Sequence, residues 1–273
     1  MFNMHKLLKQ SLFSINRDRF QDIEEKAIGF ADRNIGSGVI LQDDIFNILA
    51  NYDSGIDLLL FPIKDDEICG FVCNRKGRIF VYVNTNLPLE KQIFTAAHEL
   101  YHLRFNREEI EEGYLIKPCT LSDTANELSA NLFAALLLVP TEQLKKQIEI
   151  FHIDRSNLSI LDMVRLMDVF AVPYKTMVLR LYESNLIDEK KANQLLQIPD
   201  REDDRGILYE MNKHEIGLRW QERTRRVKYN NLKALIMDND EEELIARERA
   251  AADRDYILQD IDNVLGRLAE KGE

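Results

Sequence analysis

The chain has 273 residues, 45% of them apolar, and three cysteines, which suits one large folded unit or a unit with an appendage and rules out a disulfide framework. A formal net charge of -11 excludes a general electrostatic grip on nucleic acid and leaves only a local basic patch to make one. The first ten residues carry lysines with no apolar run behind them, and the longest apolar stretch, Leu132–Val139, falls far short of the roughly 20 residues that span a bilayer, so the expected location is the cytoplasm, with no membrane partner.

Residues Asp18 to Asn34 carry Phe20, Ile23, Ala27 and Phe30 at helical spacing, and a second helix is expected from Asp43 to Tyr52. Three strand-like runs follow at Asp57 to Pro62, Ile68 to Asn74 and Arg78 to Asn84, with Asn74 to Gly77 as a hairpin turn. Together they read as a small antiparallel sheet. Cys69 and Cys73 lie within the second run, three residues apart, which makes them a poor zinc knuckle and plain reduced thiols instead.

Helices dominate thereafter. Pro88 suits the first turn of a helix running to about Phe105, and Ser122 to Val139 reads as another, stopped at Pro140. Two shorter helices, Ser159 to Asp168 and Pro173 to Glu183, flank a turn and form a helix-turn-helix-like segment at about 159–186. Its second helix offers only Lys175 and Arg180 as cations, offset by Glu183, so packing or substrate docking is expected of it, and direct DNA binding is not. Residues 199–205 look like a linker, which divides the chain into a unit at 1–198 and a charged helical extension at 199–273. In that extension a basic cluster, Arg219 to Lys228, reads as a solvated helix face paired with the acids at Asp238 to Glu243. A final amphipathic helix bearing Ile257, Ile261, Val264, Leu265 and Leu268 would pack on the core or form a dimer contact.

Chemistry concentrates at His98-Glu99-Leu100-Tyr101-His102. Histidines four apart on a helix project from one face, about one turn apart, so both rings can reach one tetrahedral ion. Glu99 lies about 100° around the helix from His98, placed to act as general base towards the attacking water without ligating the metal. Glu127, near the start of the next helix, is the candidate third ligand. Thr124 to Glu127 also fits a capping box, in which case Asp123 would substitute as ligand. Cys119, between the two helices, could plug the open metal position and hold the protein latent, and Tyr114 on the same stretch could donate to an oxyanion.

Two stretches carry a family resemblance. Phe94-Thr95-Ala96-Ala97-His98-Glu99-Leu100-Tyr101-His102 resembles the first signature of the ImmA/IrrE metallopeptidases, and Glu127-Leu-Ser-Ala130-Asn131-Leu-Phe133-Ala134-Ala135-Leu-Leu-Leu-Val-Pro140 resembles the second. The likeness runs roughly from Asp43 to Leu186. It implies an α+β, zincin-like core with a small sheet packed on helices. It also implies His98, His102 and Glu127 as ligands of one Zn²⁺ (or another divalent ion such as Mn²⁺) and Glu99 as catalytic base. The substrate class it implies is a helix-turn-helix transcriptional repressor, cleaved in the control of mobile-element, phage or stress genes. Two residues depart from the pattern: Tyr101 stands where a glycine is usual, able to crowd the cleft or pack beneath it, and Ser129 replaces a frequent second acid. The rival expectation is a non-hydrolytic regulator that binds a repressor or DNA, its metal structural and closed by a fourth protein ligand such as Cys119. A role in toxin-antitoxin or phage defence would suit either chemistry.

Overall fold

The computed structural model describes residues 5–53, 55–75, 78–111 and 125–229. Two short helices, α1 (His5–Gln10) and α2 (Leu12–Ile15), lead into α3 (Arg17–Asn34) and α4 (Ile45–Ala50). Strands β1 (Ile56–Phe61), β2 (Gly70–Arg75) and β3 (Arg78–Asn84) precede the long α5 (Leu89–Phe105) and the short α6 (Arg107–Glu111). The helices α7 (Ala125–Leu138), α8 (Thr141–Ile150), α9 (Ile160–Phe170), α10 (Tyr174–Glu183) and α11 (Glu189–Leu196) follow. The described chain ends with α12 (Gly206–His214), α13 (Leu218–Gln221) and β4 (Lys228–Tyr229). The fold is α+β, and no helix among the described residues is long and apolar enough to cross a membrane.

The sheet is mixed, not antiparallel as its strand pattern suggested: its order is β2-β3-β1-β4, with β1 and β3 parallel. The physical cause is the connection between β1 and β2, which carries the chain past the end of β3. Asn84, wholly buried at the end of β3, organises that connection. Its Nδ2 donates to the carbonyls of Ile63, Asp65 and Ile68 at 3.1, 3.0 and 2.8 Å, and its Oδ1 accepts from the Ile63 amide at 3.0 Å. Consecutive strands therefore end up with β3 inserted between them, which periodicity along a single strand cannot reveal.

One hydrophobic cluster unites sheet and helices. Leu58 and Leu60 of β1, Val81 and Val83 of β3, Ile93, Ala97 and Leu100 of α5 and Phe133 and Leu137 of α7 are all within it and essentially inaccessible. The pair α9 and α10 joins the same core. Ala171 ends α9 in the left-handed region, with φ 53°. In α10, Tyr174, Met177, Val178 and Leu181 are buried, and so is Arg180. Arg180 is spent internally: it donates to the Val139 carbonyl, Thr141 Oγ1, Ser184 Oγ and Glu183 Oε2. One of the two cations that a groove-reading helix would need is thus inside the protein.

Residues 199–229 lie against this core. The Leu89 amide, at the start of α5, donates to the Glu222 carbonyl at 2.9 Å, the Arg225 amide donates to the Thr85 carbonyl at 2.9 Å, and β4 pairs antiparallel with β1. Trp220 Nε1 donates to Asp168 Oδ1 at 2.8 Å. The basic cluster is not a helix face: Arg223 pairs with Asp66 at 3.0 Å and Arg219 pairs with Asp43. The acidic run at 238–243 and the amphipathic stretch at 257–268 lie outside the described residues.

Glu90 joins α5 to this returning segment. It is buried, paired with Arg201 and accepting from Gln221 Nε2 at 2.7 Å. Burial is the largest influence and pushes its carboxyl up to about 7, against the opposing pull of Arg201 and Gln221. A group that titrates near 4.5 unfolded and near 7 folded holds more protons in the folded chain between those values. Its stabilising contribution is therefore complete below the unfolded value and is lost as the pH rises through the folded one. The Tm of Glu90→Gln should accordingly rise relative to wild type as the pH goes from about 5 to about 8. Thermal melts across that range would show a flat difference if Glu90 titrates normally.

Candidate metal site

The candidate site is built on the antiparallel seam between α5 and α7. Helix α5 starts behind Pro88, which stands at the N-cap. Its middle buries Ala96, Ala97 and Leu100 wholly, and small residues there let another helix approach closely. His98 and His102 project from the same side. In the first turn of α7, Glu127 meets them.

His98 Nε2 and His102 Nε2 are 3.2 Å apart. Glu127 Oε2 is 3.2 Å from the first, and Oε1 is 3.6 Å from the second. A tetrahedral ion with N and O ligands at about 2.0–2.2 Å would separate neighbouring donors by roughly 3.4 Å, so these three fit one divalent ion both in spacing and in donor chemistry. They form the sole cluster of that kind among the described residues. Partial burial pushes the Glu127 carboxyl up, but hydrogen bonds and charge from His102 and His98 outweigh it and hold Glu127 well below the usual carboxylate range. The group is thus held anionic, the form a ligand needs.

Glu99 is 4% exposed. Its carboxylate lies against strand β2: a Cβ placed on Gly70 would sit 3.5 Å from Glu99 Oε1, 2.4 Å from Thr95 Cγ2 and 2.6 Å from the Tyr82 carbonyl oxygen. Glycine at 70 therefore lets the strand lie directly on the helix that carries the site. Tyr101, the bulky residue in the motif, packs beneath the cleft and does not crowd it. It is 4% exposed, with ring centroids 5.1 Å from Phe105 and 5.6 Å from Phe133.

Sequence reasoning singled out the four polar residues that meet here and missed those that hold them. Asn131 Oδ1 lies 2.9 Å from His98 Nδ1. An amide oxygen there accepts from Nδ1–H, which leaves the Nε2 lone pair facing Glu127 and His102. Asn131 stands four positions after Glu127 on the same helical face, and that spacing was the available signal. Arg19 of α3 donates from Nε to Ser129 Oγ at 2.8 Å and from a terminal nitrogen to Asn126 Oδ1 at 3.3 Å, bracing the turn that contains Glu127. Ser129, where an acid is frequent, thus accepts from an arginine that no local pattern could link to it. Tyr114, Cys119, Asp123 and Thr124 lie outside the described residues.

Asn131→Ala should weaken zinc binding about 10–100-fold, read by competition with a chromogenic chelator; unchanged affinity would show that the 2.9 Å contact does not orient His98. Gly70→Ala should destabilise the fold by about 1–3 kcal/mol, because the new Cβ meets backbone as well as side chain. A denaturant midpoint equal to wild type would contradict that close approach.

Residues 51–182 match the family model described as the IrrE N-terminal-like domain, a peptidase family. A search of the curated proteins found no match. Among solved structures the chain is similar to a Mycobacterium tuberculosis transcriptional regulator, at 16% identity and a TM-score of 0.44, over 65% of this chain and 51% of the other. The chain therefore spans about half the length of that protein.

Proposed function

Residues 51–182 are an IrrE N-terminal-like domain of the ImmA/IrrE family, and from that membership we propose that the protein is a zinc-dependent endopeptidase that makes a limited cut in a helix-turn-helix transcriptional repressor. The observation that carries the proposal is the meeting of His98 Nε2, His102 Nε2 and the Glu127 carboxylate within 3.2–3.6 Å, with Glu99 as the next side chain round the same helix.

In this reading His98, His102 and Glu127 hold one Zn²⁺ per chain. When bound, the ion supplies a Lewis acid that polarises the scissile carbonyl and acidifies water towards a pKa of ~7. The remaining steps belong to the protein. Glu99 accepts the proton of the attacking water as the oxygen bonds to the carbonyl carbon. It then passes that proton to the leaving nitrogen as the C–N bond breaks. Asn131 keeps His98 in the tautomer that presents Nε2. Arg19, through Asn126 and Ser129, keeps Glu127 at its post. Strand β2 walls the cleft on the Glu99 side and keeps the carboxylate largely out of water, where its basicity is not spent on solvent. The cytoplasm is the setting the sequence suggests.

Glu99→Gln should retain about one zinc per chain and lose about 10²–10⁴-fold or more in the rate of repressor cleavage. Zinc content and cleavage of the helix-turn-helix repressor encoded nearest the gene would be measured together. A Glu99→Gln protein that still cuts at the wild-type rate removes Glu99 from the mechanism. A wild-type chain that binds zinc and leaves the repressor intact favours the binding regulator with a structural metal.

A further inference from the structure

The seam between α5 and α7 continues past the metal ligands. Because the helices are antiparallel, His102 faces Glu127, His98 faces Asn131, and the next step along pairs Phe94 with Ala135. At that step lies a cavity of about 140 Å³ whose walls include Phe94, Leu128, Leu132, Ala135 and Leu179, roofed by Leu7 and Leu12 of the N-terminal helices. Asn131 is also part of its wall, so one residue touches both the cavity and the His98 ring. Leu128, another wall residue, directly follows Glu127.

We infer that this cavity is the specificity pocket of the peptidase, taking the large apolar side chain of the substrate residue next to the scissile bond. The inference rests on the metallopeptidase reading and adds the class of side chain that the enzyme selects. Three properties carry it. The first is position: the cavity lies one helical turn, about 5.4 Å, along the seam from the ligands, within reach of a side chain on a residue adjoining a carbonyl held there, since neighbouring Cα atoms are about 3.8 Å apart. The second is size: an apolar cavity of ~150 Å³ lined by aliphatic and aromatic side chains holds a benzene molecule, so this one suits a phenylalanine- or leucine-sized group. The third is charge. The one ionisable group in the wall, Glu183, is spent on Arg180 at 3.1 Å and on the Ser11 hydroxyl at 2.7 Å. It neither repels an apolar guest nor offers a site to a cationic one.

The test uses two hydroxamates, a class that chelates zinc, on the zinc-loaded full chain by titration calorimetry. Acetohydroxamate carries a methyl group; phenylpropanohydroxamate carries a phenyl arm long enough to enter the cavity. Burying the ring should make the second bind about 10–100-fold tighter. Ala135→Phe, which fills the cavity, should erase that gain while zinc content stays at about one per chain. Leu179→Lys, a change on the half-buried wall from α10, should do the same if the first variant folds poorly. Equal affinities of the two compounds for the wild type would overturn the pocket and leave the metal site standing. A gain that survives both variants would also overturn it. Failure of either compound to bind, with no zinc retained, would remove the peptidase reading and the pocket with it.

Discussion

The register of α5 against α7 is the constraint on which the rest of the molecule depends. His98 and His102 share a face by helical geometry alone, but their third partner comes from another helix. A slip of one residue in α7 would swing Glu127 about 100° away from the imidazoles. Close-packed apolar surface prevents that slip. Ala96, Ala97 and Leu100 on one helix and Ala130, Phe133 and Ala134 on the other are all inaccessible to solvent. Tyr101 and Phe105 wedge around Phe133 at one end. Because cores are packed to near-crystalline density, such a seam has one good register and no shallow neighbours.

Polar groups inside the fold are placed where they fix one arrangement among several. Asn84 decides on which side of β3 the chain re-enters the sheet. Arg180 ties the start of α8, through Thr141, to α10 and then through Glu183 to Ser11 beside the N-terminal helices. Each of these would be costly if left unmatched, and each has several partners. The same economy operates at the metal ligands. Asn131 occupies the nitrogen of His98 that faces away from Glu127, while Arg19 braces the backbone turn around Glu127 from a third helix. The donors are thereby set in place before any ion arrives, which reduces the reorganisation that binding would otherwise require.

The segment from 199 to 229 adds a second kind of constraint. It completes the backbone hydrogen bonding at the start of α5, adds β4 to the exposed edge of β1 and sets Arg201 and Gln221 on the buried Glu90. The helix that carries the motif is thus clamped at its N-terminal end by returning chain and along its middle by α7. Strand β2 presses on it where Gly70 permits. Rigid support from three directions suits a site whose chemistry needs a carboxylate and three donors held to within fractions of an ångström.

The sequence by itself determined the local and periodic features. Spacing of four placed His98 and His102 on one face, Pro88 and Pro140 bounded the helices of the seam, and alternating apolar residues marked β1 to β3. The two signatures were enough to indicate the family and to nominate Glu99 and Glu127, because those residues lie within short, nearly contiguous patterns. Tertiary structure decided whatever required two distant segments to meet. The parallel pairing of β1 with β3 depends on a crossover that Asn84 closes from the far end of another strand. The return of residues 218–229 to the sheet depends on hydrogen bonds between backbone groups that carry no sequence signature. Arg19 sits more than a hundred positions from Ser129 and Asn126, so no window of sequence could connect them. The cavity beside Phe94 exists only because four helices converge there. Periodicity reports which face a residue occupies; only packing reports what that face meets.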